Sequence, residues 1–311
     1  MKQKIIMDCD PGHDDAMAIL LAGVQDSLEI LGITTVAGNS PLENTTRNAL
    51  IITQISGLDI PVYKGMDRPI IRKPYFAGGE VVHGKSGLEG PKLPPLERKV
   101  EKEHAVDFII ESVKANKGEI TLVPTGPLTN IGMAFIKAPE IIPWVKSISL
   151  MGGAINEGNV TPSAEFNIFF DPEAADIVFS SGIPIFIAPL ELTHQALIGP
   201  KELDKIRDLN LEISKFVVDL LEFYSKFHKR RYHMEGAPLH DPCAVLYLIR
   251  PDLIETKKMF VQIETKGEYT AGRTVCDIWG VLNKEPNIEI GVKLDHKGFI
   301  NELLNALKRY K

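Results

Sequence analysis

The sequence predicts an α/β protein with an open, mostly parallel central sheet and helices on both faces, on three observations. Apolar, β-branched runs alternate with helix-length amphipathic stretches through the first two thirds of the chain. The strand-like runs are continuously apolar, as expected of strands buried on both faces. Polar or glycine-rich turns follow several of these runs in chain order, the rhythm of repeated βαβ units. The strands are predicted at residues 4–7, 30–36, 120–123, 147–151 and 184–188, with helices near 14–25, 42–56, 103–116, 127–138 and 172–181. Ser40-Pro41-Leu42-Glu43 reads as an N-cap, a proline in the first turn and a capping-box Glu. Gly57 and Gly182 stand where helices end. Residues 65–98 are rich in Pro and Gly, and a loop of that length is usually functional or disordered. A helical pattern runs from Lys201 to Tyr232, and another helix opens on His240-Asp241-Pro242 and covers 239–249. No repeat, linker or composition shift divides the chain, which reads as one domain, residues 1–311.

Composition narrows the function. With 44% hydrophobic and 24% charged residues, the chain is an ordinary globular protein. A formal net charge of −6 argues against a nucleic-acid partner, which needs a basic field. The one short basic run, Lys229-Arg230-Arg231, reads as a solvated helix face. No apolar stretch is long enough to span a bilayer and no signal peptide precedes the first strand, so the expectation is no membrane partner and a cytoplasmic location. Cys9, Cys243 and Cys276 have no metal-binding spacing and fit structural roles in a reducing compartment.

Chemistry concentrates where the first strand meets the first helix. Asp8, Asp10, Asp14 and Asp15 lie within MDCDPGHDDAMAILLAG. Residues i and i+2 of a strand share a face, so Asp8 and Asp10 can point the same way. Asp14 and Asp15 fall at a helix start, where the macrodipole favours negative charge. That field cannot neutralise four like charges, and neighbouring carboxylates resist joint ionisation. A bound hard cation resolves the conflict, and an oxygen-only donor set favours calcium or magnesium over zinc. Capping and solvated-turn roles explain single acids, but not four at the carboxyl end of a first strand, where open parallel sheets bind ligands. An EF-hand is excluded, because the twelfth position from Asp8 is Ile19 rather than Glu.

Other strand ends deliver polar groups too. Ala37-Gly38-Asn39, Pro124-Thr125-Gly126-Pro127 and Met151-Gly152-Gly153 follow the second, third and fourth runs. Glycine in the second of these permits an unusual backbone that can expose a carbonyl. Asn159, Glu165 and Asn167 form a later polar group, readable as turn and cap chemistry or as partners for sugar hydroxyls. Tyr224, His228 and Tyr232 recur at helical spacing, as a packing stripe or as the wall of a site.

The blocks DCDPGHDD, TTVAGN, HGKSGLEGP, LVPTGPLTNI, MGGA, AEFNIFFDPEAADIVF and APLHDPCAV occur in order across almost the whole chain. Together they resemble the inosine-uridine-preferring nucleoside hydrolases. The resemblance implies the Rossmann-like sheet of that family and hydrolysis of the N-glycosidic bond of ribonucleosides, leaning towards cytidine and uridine. It implies a calcium ion held by Asp10, Asp15, the Thr125 carbonyl and Asp241, with Asp8 in support. It assigns Asp10 as the general base towards a metal-polarised water and His240 as the acid near the leaving base, with His83 a second base-side candidate. Asp14, Asn39 and Asn167 are implied at the ribose diol, Asn159 and Glu165 at the 5′-hydroxyl, and Met151 and Tyr232 elsewhere around the substrate. The partners implied are a small-molecule ribonucleoside and further copies of the chain, as a homotetramer or homodimer.

Two other classes compete. A haloacid-dehalogenase-like phosphohydrolase also opens on a strand ending in D-x-D, but Gly12 stands where that motif has Thr or Val, and the Asp14-Asp15 pair goes unexplained. A non-catalytic nucleoside or ribose sensor would keep the pocket, yet the intact Asp10, Asp15 and Asp241 set argues for chemistry.

Overall fold

Hydrogen-bond register orders the strands around β1. The structure is a computed structural model and describes residues 2–76 and 82–310. Its strands are β1 Gln3–Cys9, β2 Leu28–Thr35, β3 Val62–Lys64, β4 Ile120–Pro124, β5 Ser147–Met151, β6 Ile185–Ala188, β7 Leu197–Ile198, β8 Ala237–Pro238, β9 Ile254–Met259, β10 Val261–Ile263, β11 Thr274–Cys276 and β12 Ile288–Leu294. The described α-helices are α1 His13–Gly23, α2 Leu42–Ile55, α3 Ala105–Ala115, α4 Thr129–Lys137, α5 Phe166–Phe170, α6 Pro172–Phe179, α7 Leu190–Thr193, α8 Pro200–Arg207, α9 Glu212–Tyr232, α10 Pro242–Ile249 and α11 His296–Leu307. Eight strands form one sheet, β3-β2-β1-β4-β5-β6-β12-β9. Every neighbouring pair is parallel except β12 with β9.

Side-chain alternation builds a core on each face of the sheet. Ile5, Met7 and Cys9 of β1 pack with α1, α9, α10 and α11, while Ile6 packs with α3, α4 and α6 on the other side. All four are wholly buried, and burying a side chain of this size stabilises by about 1.5–3 kcal/mol. The central strands therefore cannot slip by a residue without exchanging the two cores.

This topology fixes the site. β1 pairs with β2 on one edge and β4 on the other, and the connection after β1 runs to β2 while that after β4 runs to β5, in opposite directions from this pair. A crevice opens at that switch point. Asp10 follows β1 there and Thr125 follows β4.

The five strands and the helices expected between them are present. Gly57 and Gly182 have φ of +67° and +78°, the left-handed values that glycine accepts after a helix. Other expectations need correction. α2 begins at Leu42 with Pro41 at its N-cap and no side-chain cap, so Ser40 does not cap it. The helical pattern over 201–232 is two helices, α8 and α9. Beyond the five, β3, β9, β12 and α11 complete the sheet and its cover. β12 alternates buried Ile288, Ile290 and Leu294 with more exposed positions, and edge strand β9 exposes Glu255, Lys257 and Lys258. Neither has the continuous apolar run that marks the central strands. Residues 77–81 of the long 65–98 segment lie outside the described residues. No helix among the described residues is long and apolar enough to cross a membrane.

Candidate active site

Backbone geometry gathers the acids at the switch point. Asp15, in the first turn of α1, accepts the Gly12 N–H at 2.9 Å and the Thr125 hydroxyl at 2.7 Å. Asp10 Oδ2 accepts the Asn39 N–H at 2.6 Å, whereas its buried Oδ1 has no hydrogen-bond partner. Gly38 and Gly126 flank this carboxylate; a Cβ at Gly126 would stand 2.7 Å from Oδ1, and one at Gly38 would collide with Oδ2. Space for Asp10, rather than an unusual φ, is thus what these glycines provide. Asp241 reaches the same place from the start of α10, where it holds the N-cap position with no side-chain capping bond. Oxygens of Asp14, Asp15 and Asp241 lie within 4.8 Å of one another.

Burial and mutual repulsion make this floor electrostatically costly. Desolvation, then the charges of neighbouring acids, push Asp10 and Asp241 well above the usual carboxylate range. Burial also raises Asp15, and with the Asp15 charge it lifts Asp14 to about 8. An orphaned carboxylate oxygen beside three more acids, all oxygen donors, fits a hard divalent cation. Asp8 belongs to a different network. Its Oδ1 accepts from Thr34 at 2.6 Å and Asn130 at 2.7 Å, and it shares no hydrogen bond with any of those four acids.

Above the floor lies a cavity of about 290 Å³, at the small end of ligand pockets. One side is polar. Asn167 donates to the Thr125 carbonyl at 2.8 Å and the Met151 carbonyl at 3.1 Å, tying the ends of β4 and β5 together. Glu165 caps α5, accepting Asn167 N at 2.9 Å while also holding Gly153 N at 2.9 Å, and burial raises it to about 7. Asn159 accepts the Phe166 N–H at 2.9 Å. The other side is aromatic, with Tyr224, Phe227, His228, Tyr232, His83, His194 and His240 on the wall. His240 is held by a 2.7 Å contact between its Nδ1 and the Thr193 hydroxyl. Burial lowers His83 and His240 well below the ordinary histidine value.

The profile of the inosine-uridine preferring nucleoside hydrolase family matches residues 5–301. The chain belongs to that family. It is 44% identical over 309 residues to a pyrimidine-specific ribonucleoside hydrolase of Escherichia coli, covering 99% of this chain and 98% of that one. Among solved structures it resembles a purine-preferring ribonucleoside hydrolase from Gardnerella vaginalis, with TM-score 0.92, 38% identity and 98% of each chain covered. A plant nucleoside hydrolase matches with TM-score 0.90 and 32% identity, over 99% of this chain and 100% of that chain.

The nucleoside hydrolase fold brings most of the expected residues to this one place. Asp14, Asn39, His83, Thr125, Met151, Asn159, Glu165, Asn167, Tyr232, His240 and Asp241 all border the cavity, and the wholly buried Asp10 and Asp15 bond to Asn39 and Thr125 of that border. Beside the expected ligands, Asp14 also stands close to Asp15 and Asp241, and the Thr125 carbonyl accepts from Asn167 with a second lone pair to spare. Sequence reasoning missed Thr193 and His194, which lie in no motif, and His13, which stacks on His83 with ring centres 5.2 Å apart. Lys229, Arg230 and Arg231 are exposed, as a solvated helix face requires, and Arg231 also borders the cavity.

Proposed function

We propose that this chain hydrolyses the N-glycosidic bond of ribonucleosides to ribose and free base, with a resident calcium ion and a lean towards pyrimidines. The observation that carries the reading is the meeting of four buried, mutually repelling carboxylates with a neutral aromatic wall across one small cavity. Asp10, Asp15, Asp241 and the Thr125 carbonyl would hold the ion, with Asp14 beside them. Calcium there supplies the charge that lets these acids ionise together and lowers the pKa of a water that it polarises.

The protein's own groups supply the rest. Asp10, with one carboxylate oxygen unengaged, accepts the proton of the attacking water. That water adds to C1′ from the face opposite the base, and the C1′–N bond breaks with its electron pair leaving on the base. One displacement inverts C1′. The anionic floor stabilises the oxocarbenium-like character that the sugar gains as the C1′–N bond breaks. Asp14, Asn39 and Asn167 position the diol, and Asn159 and Glu165 hold the 5′-hydroxyl end. His240, oriented by Thr193, assists the departing base.

The 44% identity to a pyrimidine-specific enzyme supports the base preference, against 38% to a purine-preferring one. Three unpaired cysteines agree with a cytoplasmic site of action. We read residues 1–311 as one domain that assembles as a homotetramer or homodimer. A kcat/KM panel over common ribonucleosides, with calcium and with a chelator, tests the reading. Uridine hydrolysis that needs calcium supports it; binding of uridine with no turnover in calcium would favour the sensor instead.

A further inference from the structure

Four successive backbone N–H groups in the loop after β5 are each held by a side chain from outside that loop. Gly153 N–H donates to Glu165 at 2.9 Å and Ala154 N–H to the Thr274 hydroxyl at 2.9 Å. Ile155 and Asn156 N–H donate to the two carboxylate oxygens of Glu191, at 2.9 and 2.7 Å. Thr274, buried in β11, also gives its own hydroxyl proton to the Ala154 carbonyl. Gly153 has a φ of +71°, and a Cβ there would stand 2.6 Å from the Thr274 methyl, so the loop is seated directly on β11. The Gly153 carbonyl accepts the Leu190 N–H at the start of α7, the helix whose first turn carries Glu191. Bonds from backbone N–H groups to a carboxylate are charge-assisted, about twice as strong as neutral ones. Glu165 is bonded at the first of the four amides, and Asn159 borders the cavity shortly after the last, whereas neither Glu191 nor Thr274 reaches the cavity.

We propose that Glu191 and Thr274 are positioning residues for the substrate's 5′-hydroxyl. Together they clamp residues 153–156 and so fix Glu165 and Asn159 where that hydroxyl must sit. This rests on the nucleoside hydrolase reading above and adds to it two residues that never meet the substrate. The clamp acts on one end of the sugar only. Its loss lets the loop drift, and the contact weakened is the one that the 5′-hydroxyl makes, while the floor acids keep their own backbone partners at Gly12 and Asn39.

The test compares uridine with 5′-deoxyuridine in kcat/KM. Wild-type enzyme should favour uridine by about 10²-fold or more, because a site built for a hydroxyl is left unpaired by the analogue that lacks it. A ratio near one would overturn the proposal. Glu191→Gln offers one acceptor and one donor to the pair of N–H groups, and Thr274→Val keeps its shape without the hydroxyl. Each should lower kcat/KM for uridine by about 10–10²-fold, the scale of an ångström-sized misplacement, and leave 5′-deoxyuridine nearly unaffected. Thr274→Ser, which retains the hydroxyl, should restore the wild-type ratio. Equal losses on the two substrates would overturn the proposal, since a general disturbance of α7, whose Thr193 contacts His240, slows both alike. Hydrogen–deuterium exchange over residues 151–158 gives a readout independent of turnover. Faster exchange there in Glu191→Gln and Thr274→Val, but not in Thr274→Ser, supports the clamp, and unchanged exchange overturns it. If one variant fails to fold, the other decides. Absence of uridine hydrolysis by wild-type enzyme would instead remove the parent reading, with the exchange still deciding whether the clamp holds the loop.

Discussion

The floor and the wall of the cavity are built by opposite means. The floor is a set of acids fixed by backbone at strand ends and helix starts: Asp10 against the Asn39 N–H, Asp15 against the Gly12 N–H, Asp241 at the start of α10. The wall is aromatic and imidazole side chains carried by α9 and by single residues such as His83, His194 and His240. Burial acts on both, with opposite results. It makes the floor's acids resist ionisation, leaving a demand for external positive charge, and it holds the wall's histidines neutral. Charge for the reaction thus sits on one side and neutral, shape- and hydrogen-bond-selective contact on the other. Changes to the floor should affect every substrate alike, whereas changes to the wall should depend on the base.

The largest effect should come from removing the substrate's side of the floor contact. Against the proposed diol contacts of Asp14, Asn39, Asn167 and a cation, 2′-deoxyuridine would leave positions unpaired, and its kcat/KM should fall about 10⁴-fold below that of uridine. Comparable values would mean that the floor does not read the diol. Next, Asp10→Asn should lower kcat by about 10²–10⁴-fold for every nucleoside while circular dichroism stays unchanged, since it removes the proposed base. A base-dependent loss would blur the division between floor and wall.

His240→Ala probes the wall. Natural nucleosides should slow by about 10²-fold, while p-nitrophenyl riboside, whose leaving group departs readily as an anion, should be nearly unaffected. Equal losses on both would make His240 a support for neighbouring Asp241. The smallest effect concerns stability. Burial lifts Asp8 and Glu165 to about 7 and, joined by the Asp15 charge, Asp14 to about 8, against ordinary values near 4 in the unfolded chain. Between those limits these acids hold more protons in the folded state than in the unfolded one. Above the ordinary histidine value near 6.5 the buried histidines, held low, no longer oppose them, so folding weakens as pH rises. Metal-stripped protein should therefore lose Tm from about pH 6.5 to pH 8. Saturating calcium should flatten that slope, and a slope insensitive to calcium would count against a cation on this floor.

Much of this was readable in advance because it depends on local pattern. Continuous apolar runs marked β1, β2 and β4–β6, and the crowding of Asp8, Asp10, Asp14 and Asp15 announced a charge problem that needs a partner. What escaped was set by contacts distant in sequence. β12 and β9 lack a continuous run because one side of each strand is partly solvated. The glycines around Asp10 could be seen, but not their reason, which is the carboxylate packed between Gly38 and Gly126.

The sequence by itself determined the alternation of strand and helix, the acid-loaded first turn and the ordered blocks that carry the family resemblance. These follow from periodicity and residue chemistry, which act within a few positions. Only the tertiary structure decided which acids stand together, since Asp241 joins Asp14 and Asp15 across more than two hundred residues, and Asp8 turns aside to Thr34 and Asn130. It also decided the protonation of the wall. A histidine's ionisation and tautomer depend on burial and on the atom facing each ring nitrogen, and for His240 that atom is the hydroxyl of Thr193, brought near by the fold alone.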